Sequence, residues 1–165
     1  MRDGPQGRPR GAGKGAPQDV GTIQPRVTAR ALPIALLRAR EAVMWRFRPL
    51  VAAASLTDPQ WRVLRVLNEF GPLDPTQIAE HACILRPSLS RMLHSLQQDG
   101  HVTRQDHPDD KRSAIITITA QAERMLLRLA PKSNAIYDEL ERAYGQKKMR
   151  RLLDLLEDLA LLDED

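Results

Sequence analysis

A short segment, "RPSLSRMLHSLQQDG", combines an apolar helix face with an unusually polar one. Its apolar residues follow the i, i+3, i+4, i+7 spacing of a helix: Leu89, Met92, Leu93 and Leu96. The other side presents small or hydrogen-bonding residues: Pro87, Ser88, Ser90, Arg91, His94, Ser95 and Gln98. Such a surface can enter a DNA major groove, where Arg reads guanine and Ser or Gln binds base edges or phosphates. The alternative is an ordinary solvated helix face.

A second polar segment, "HPDDKR", stands between two strand-like runs, "HVTRQ" and "SAIITIT". Pro108, Asp109 and Asp110 are turn formers, so this segment is predicted to be a hairpin tip. Arg112 is the candidate for a minor-groove or phosphate contact, and Asp110 is the candidate for holding its guanidinium in position. Lys111 would add a phosphate contact. The alternative is a charged tip that only discourages aggregation.

Arg104 lies on the first of these strands. Two interpretations stay open for it, a contact with a DNA backbone phosphate and an internal salt bridge.

The segment "LDPTQIAEHA" supplies the helix that must precede the polar one. Asp74 is a predicted N-cap and Pro75 the first helical residue, with the helix ending near Ala82. The next helix is predicted from Pro87 to Gly100. Two short helices, a tight turn and a hairpin form a winged helix. The predicted fold class is therefore mainly α with a small β-hairpin wing (α+β).

Helices are also predicted on both sides of this unit. One extends from Ala31 to about Ala54, with Leu37, Arg40, Met44, Phe47 and Val51 on one face. "SLTDPQW" then starts a helix, with Thr57 as N-cap, Gln60 in a capping box, and Leu56 packed on Trp61. That helix ends at Gly71.

The C-terminal part predicts a long helix capped by Thr119, which Pro131 should kink or interrupt. A last helix covers roughly residues 146–162, with Met149, Leu152, Leu153, Leu156 and Leu159 on one side. These helices carry more apolar surface than the small winged core can cover, so a second copy of the chain is the expected partner.

Composition and charge limit the alternatives. Of the 165 residues, 42% are hydrophobic but only 4% aromatic, which favours helices packed on helices in one domain. The net charge of +4 arises in the first 30 residues, which hold six basic and two acidic side chains. Residues 1–28 are rich in Gly and Pro and are predicted to be a disordered basic tail. Overall basicity is therefore no argument for DNA binding.

Cys83 is the single cysteine, which excludes an internal disulfide framework and suits a reducing cytoplasm. It is predicted to be a small buried residue. The chain has no apolar run long enough for a bilayer and no signal-peptide pattern, so the expected location is cytoplasmic. His81, Cys83, His94, His101 and His107 match no zinc spacing, and no catalytic motif is present. We expect no enzyme activity, no metal and no cofactor.

The run from about Leu32 to Leu162 resembles the MarR family of bacterial transcription regulators, most of all its branch that regulates homoprotocatechuate catabolism. The segments that carry the resemblance are "LLRAREAVMWRFRP", "LTDPQWRVLRVL" and "ACILRPSLSRMLHSLQQDG". Family-wide, Asp110 and Arg112 match an Asp-x-Arg pattern in the wing. The long Gly/Pro tail and Pro131 depart from the family's pattern.

The resemblance implies a homodimer that binds pseudo-palindromic operator DNA and represses transcription until a small molecule loosens it. It implies a regulator domain at residues 29–165, with a DNA-binding lobe at 56–119 and dimerisation helices at 31–54 and 120–162. The expected effector is a hydroxylated aromatic acid, and a pyridine carboxylic acid such as a hydroxynicotinate fits equally well.

Arg40 is the candidate anchor for such an acid, because it interrupts an apolar row, with Met44 and Trp61 beside it. The alternatives are an Arg40 paired with an acidic residue across the dimer and a Trp61 that only fills the core. Two other functions stay open, a redox-sensing regulator that acts through Cys83 and a ligand- or protein-binding module without operator binding.

Overall fold

The computed structural model describes residues 27–28, 31–106 and 114–162. In these ranges the elements are α1 (Leu32–Ala53), α2 (Asp58–Phe70), α3 (Pro75–His81), α4 (Arg86–Gln98), β1 (Val102–Asp106), β2 (Ala114–Ile118), α5 (Ala120–Tyr144) and α6 (Gln146–Ala160). The mainly α fold with one antiparallel hairpin is confirmed. The predicted tail lies almost wholly outside the described residues. The chain divides into two compact units after Leu36, and the features below belong to the second unit.

Helices α2 and α3 begin where local sequence predicts. The Thr57 hydroxyl accepts from the Gln60 amide, and the Gln60 side chain accepts from the Thr57 amide at 2.9 Å. At the start of α3, Asp74 accepts from the amides of Thr76 at 2.6 Å and Gln77 at 3.0 Å. Both capping boxes satisfy amides that would otherwise lack a partner at a helix start.

Helix α4 begins at Arg86, one residue before the predicted start, because Leu85 has an extended backbone and acts as N-cap. Leu89, Leu93 and Leu96 are buried against the other elements of the winged core. Helices α3 and α4 and the turn between them form the predicted helix-turn-helix.

The hairpin is joined to the helices at its base. Its register pairs Val102 with Ile118 and Asp106 with Ala114. Leu73, just before the α3 cap, exchanges two backbone hydrogen bonds with Ile116, at 3.1 and 2.8 Å. The wing strands are therefore confirmed and tied to the start of α3. Residues 107–113, which include the predicted tip, lie outside the described residues.

The core is a single apolar cluster to which α2, α3, α4, both strands and the start of α5 contribute. Leu56 and Trp61 both belong to it, as the predicted packing at the start of α2 requires. Of the two predicted effects of Pro131, an interruption of α5 is contradicted, since the helix continues through it to Tyr144, whereas a kink stays a prediction. The missing N–H removes one backbone hydrogen bond, and the other turns of this helix of 25 residues are still formed.

Helix α6 has no buried residue in this single chain. Its leucines Leu152, Leu153, Leu155 and Leu156 are at least 36% exposed. Over the part of the chain that the structure describes, no helix combines the length and apolar character needed to cross a membrane.

Candidate nucleic-acid interface and ligand crevice

Helix α4 presents its polar face to solvent because its leucines are buried on the other side. The exposed residues of this face are Pro87, Ser88, Ser90, Arg91, His94 and Gln98. This is the arrangement that the sequence predicted for a helix that reads DNA.

Ser95 differs from the rest of the predicted set. It is half-buried, accepts a hydrogen bond from the Gln60 side chain at 3.3 Å and donates one to Asp99 at 3.3 Å. Ser95 thus lies at the edge of α4 that faces α2, and its hydroxyl already has protein partners.

Arg104 on β1 extends the polar face of α4 sideways. A groove of about 380 Å³ runs between them and is lined by Ser90, Arg91, His94 and Arg104, among others. An adjoining groove of about 190 Å³ is lined by Arg86, Ser90 and Arg104. Among the described residues no carboxylate lies within salt-bridge distance of Arg104, and its phosphate contact and its internal salt bridge both stay predictions.

The predicted interface also includes three residues of the wing. Asp110, Lys111 and Arg112 lie outside the described residues. Their roles stay predictions.

Arg40 is not among the side chains that line the crevices described here, and its role as a ligand anchor stays a prediction. Its guanidinium lies 2.8 Å from Glu41 and 3.9 Å from Asp58, at the first turn of α2. Glu41 also accepts a hydrogen bond from Arg48, and this bond, with the charges of Arg48 and Arg40, lowers the pKa of the Glu41 carboxyl. These acidic partners of Arg40 lie in its own chain.

Met44 and Trp61, the other two predicted effector residues, do line one crevice together. It has a volume of about 270 Å³ and lies between α1, α2, α5 and the end of α3. Its wall is made mostly of apolar and aromatic side chains: Val43, Met44, Phe47, Trp61, Val66, Ala82 and Tyr137. Phe47 and Tyr137 are in contact, with ring centroids 4.9 Å apart.

The cations of this crevice are Arg62 and Arg65, which the sequence analysis did not select. Arg65 follows Trp61 by four residues on α2, so the two share a helix face, and that spacing is the signal that could have identified it. Arg65 and Trp61 also line a second crevice of about 340 Å³, beside Asn68, Ser133 and Asn134. A carboxylate in either space would meet Arg65.

The turn between α3 and α4 adjoins the first crevice. Cys83 in this turn is exposed, not buried as predicted, because it occupies a tight corner with φ of 49°. Arg62 donates from Nη1 to the carbonyl oxygens of Ala82 at 2.8 Å and Cys83 at 3.3 Å. In the ranges that the structure describes, no group of three His, Cys, Asp or Glu side chains could hold a metal ion.

Comparison with known proteins agrees with this geometry. The chain is 39% identical over 134 residues to the HTH-type transcriptional regulator FarR of Neisseria gonorrhoeae, a match that covers 81% of this chain and 92% of FarR. It is 39% identical over 132 residues to the homoprotocatechuate degradative operon repressor of Escherichia coli, covering 80% of this chain and 89% of the repressor.

Solved structures give the same picture. NadR in complex with 4-hydroxyphenylacetate superposes with a TM-score of 0.74 at 38% identity, over 86% of this chain and 100% of NadR. The repressor CouR, bound to a 23-mer DNA duplex, superposes with a TM-score of 0.71 at 32% identity, over 80% of this chain and 94% of CouR. The sequence profile of the MarR family matches residues 56–114, which span the helix-turn-helix and the wing. The chain therefore belongs to the MarR family of transcriptional regulators.

Proposed function

We propose that this protein is a homodimeric repressor of aromatic-compound catabolism genes that a small aromatic or pyridine carboxylic acid releases from a pseudo-palindromic operator. The observation that carries the proposal is the crevice lined by Trp61, Arg65 and Tyr137, which adjoins the helix-turn-helix. The homoprotocatechuate repressor by its name, and NadR by its bound 4-hydroxyphenylacetate, are regulators linked to such compounds.

The DNA-binding part of the proposal rests on α4 and β1. Helix α4 would enter the major groove with Ser88, Ser90 and Arg91 toward the base edges. Arg104 would contact a phosphate, and Arg112, with Asp110 and Lys111, would extend the contact from the wing. Two copies related by a twofold axis would place their α4 helices in successive major grooves, which matches a pseudo-palindromic site.

The dimer part of the proposal rests on α6 and on the outer face of α5. Leu153 and Leu155 on α6 and Leu127 on α5 are more than half exposed, and apolar surface on this scale is costly to leave in water. A second copy of the chain would cover it.

The effector part of the proposal rests on the shape and charge of the crevice. A crevice of about 270 Å³ suits one small ring better than a large ligand. Its apolar wall would stack the ring, Arg65 would pair with the carboxylate, and the Tyr137 hydroxyl would serve a ring hydroxyl. The acid needs to favour the released form by only about 1.4 kcal/mol to weaken DNA binding tenfold.

The test is fluorescence anisotropy of the protein on DNA from upstream of its own gene, against a scrambled duplex at fixed salt. The panel of acids should include 4-hydroxyphenylacetate, homoprotocatechuate and 6-hydroxynicotinate. We expect selective binding that one acid relieves. Equal binding to both duplexes, unaffected by every acid, would refute the proposal.

Single-residue variants test which side chains contact the operator. Arg91→Ala should lower operator affinity by about 1–3 kcal/mol if Arg91 reads a base, and Arg112→Ala should also weaken binding. Ser95→Ala is the matched variant on the same helix, and should cost less because its hydroxyl is bound to Gln60 and Asp99. If operator binding survives both arginine changes, the chain is a ligand- or protein-binding module without this mode of DNA recognition.

The exposure of Cys83 keeps a second candidate open, a redox-sensing regulator. Its thiol lies in the turn just before α4, so oxidation there would disturb the recognition helix. Peroxide should then lower operator affinity in the wild type but not in Cys83→Ser. An equal response in both proteins removes this candidate.

A further inference from the structure

Arg62 stands where the ligand crevice meets the helix-turn-helix. Its side chain leaves α2, lines the crevice, and donates from Nη1 to the carbonyl oxygens of Ala82 at 2.8 Å and Cys83 at 3.3 Å. Among the described residues, Arg62 thus links the crevice to the backbone of the turn between α3 and α4.

The turn needs such a donor. The last carbonyls of a helix lack helical partners, and a cation at that end is favourable because of the helix dipole. Cys83 has a positive φ of 49°, a conformation that a residue with a side chain adopts at a cost. Backbone bonds from Cys83 to Glu80 at 3.1 Å and from Ile84 to Ala79 at 2.9 Å close the turn. Helix α4 starts at Arg86, so this turn sets its direction.

Helix α2 and α3 also touch through a second contact. Phe70 stacks on His81 with ring centroids 4.4 Å apart and an interplanar angle of 18°. The end of α3 and the turn after it are thus held to α2 by this stack and by the bonds of Arg62. His81 and Ala82 both line the crevice, so a ligand there would lie against the segment that these two contacts position.

Arg62 has unused hydrogen-bonding capacity. Its Nε is buried and has no hydrogen-bond partner among the described residues. The guanidinium is planar, so its N–H groups cannot be reoriented one at a time. An anion that draws the Nε edge toward the crevice therefore shifts the whole plane, and with it the Nη1 atom that bonds to the turn.

We propose that Arg62 is the positioning residue that couples occupancy of the crevice to the direction of α4. The inference rests on the proposed function, because it concerns how the same ligand acts. The carboxylate that Arg65 binds also draws the Arg62 guanidinium, which loosens its hold on Ala82 and Cys83. Helix α4 then loses the fixed direction that operator reading requires. By linkage, operator DNA lowers the affinity for the acid by the same factor.

The experiment compares wild type, Arg62→Met and Arg62→Lys, with Arg128→Met as the matched control. Arg128 is an exposed arginine of α5 that lines none of the crevices or grooves described above. Operator affinity is measured by anisotropy with and without 4-hydroxyphenylacetate and the other acids of the panel. Affinity for the acid alone is measured by calorimetry, and folding is checked by thermal unfolding.

We expect the acid to weaken operator binding by about tenfold in wild type and in Arg128→Met. In Arg62→Met the acid should still bind, but its effect on operator binding should fall below about twofold. Arg62→Lys keeps a cation but loses the planar fork, so its response should also be smaller than that of wild type. If Arg62→Met does not fold, Arg62→Lys decides the question.

The outcomes separate the two proposals. If Arg62 has only a structural role, its replacement should weaken operator binding by the same factor with and without the acid. A ratio of operator affinities with and without acid that equals the wild-type ratio, in variants that still bind the acid, therefore overturns the inference and leaves the proposed function standing. If the wild type binds its operator and no acid releases it, the proposed effector response is wrong and the coupling role falls with it.

Discussion

The pKa of the Glu41 carboxyl on α1 is set by two neighbouring arginine side chains. Glu41 accepts hydrogen bonds from Arg48 and Arg40, and the bond from Arg48 contributes most to the lowered pKa of its carboxyl. A depressed pKa means that the ionised form is favoured in the folded protein. The associated stabilisation is present above the pKa of Glu41 in the unfolded chain, and it is lost as the pH falls through the folded value.

We therefore expect the Glu41 carboxyl, followed by NMR, to titrate with a midpoint below its ordinary 4.5. Arg48→Met should move the midpoint up toward that value. Arg46→Met is the control, since Arg46 donates to the Ala42 carbonyl and not to Glu41. A midpoint that Arg48→Met leaves in place would show that the hydrogen bond is absent in solution.

At the residue level, the sequence identified the exposed polar face of α4 but did not select Arg65 of the crevice. The DNA and ligand roles of these residues stay predictions. Ser88, Ser90 and Arg91 could be identified because helical spacing alone decides which side of α4 is polar. Arg65 was not selected because local spacing does not show which faces of α1, α2 and α5 meet. Glu41 is the next residue after Arg40 on α1, whereas the proximity of Asp58 becomes visible only when α1 and the start of α2 are placed together.

At the scale of elements, the start of α3 depends on one side chain. Asp74 accepts from two amides at 2.6 and 3.0 Å, and α3 is only seven residues long. Asp74→Ala should lower the free energy of unfolding by about 1 kcal/mol, measured by urea denaturation.

Glu80→Ala is the control on the same helix. The Glu80 carboxylate lies 3.9 Å from Arg86 with both side chains 68% exposed, so its loss should change stability by less than about 0.5 kcal/mol. Equal losses for the two variants would mean that the cap contributes nothing special.

Pro131 in α5 offers the opposite test. Proline in a helix interior removes a backbone hydrogen bond and crowds the preceding turn, at a cost of up to about 3 kcal/mol. Pro131→Ala should therefore raise the free energy of unfolding in urea by about 1–3 kcal/mol, whereas Lys132→Ala beside it should have little effect. Lower stability in Pro131→Ala would show that the packing of α5 depends on the proline.

Element boundaries were predictable where local chemistry sets them. Thr57 and Asp74 were identified as caps because a capping box needs only residues three positions apart. The start of α4 was missed by one residue because Leu85 caps with its backbone alone and leaves no side-chain signal. The sequence predicted a long α5 but not whether Pro131 would interrupt it, because the penalty of one proline is local and does not decide whether the neighbouring turns form.

At the scale of the whole molecule, the leucines of α6 predict the oligomeric state. Leu153 is 57% exposed in the single chain, and burial in a dimer would remove that surface from water. Light scattering should give twice the 18.6 kDa chain mass for wild type. Leu153→Glu should reduce the mass to one chain and abolish high-affinity operator binding, because both half-sites must be read together.

Asp154→Ala, the neighbouring change on α6, should leave the dimer intact. A Leu153→Glu protein that stays dimeric and folded would show that the α6 leucines are covered in another way.

The hairpin register has a consequence for how regulators of this kind diversify. Ala114, Ile116 and Ile118 are the buried residues of β2, so a one-residue insertion within β2 would move the buried residues on one side of it to the opposite face. An insertion between Asp106 and Ala114 leaves that alternation untouched, because Leu73 and Ile116 fasten the hairpin from its base. Evolution, or an engineer who wishes to graft a new DNA-contacting tip, can therefore vary the length and sequence of residues 107–113 while the supporting scaffold keeps its fold.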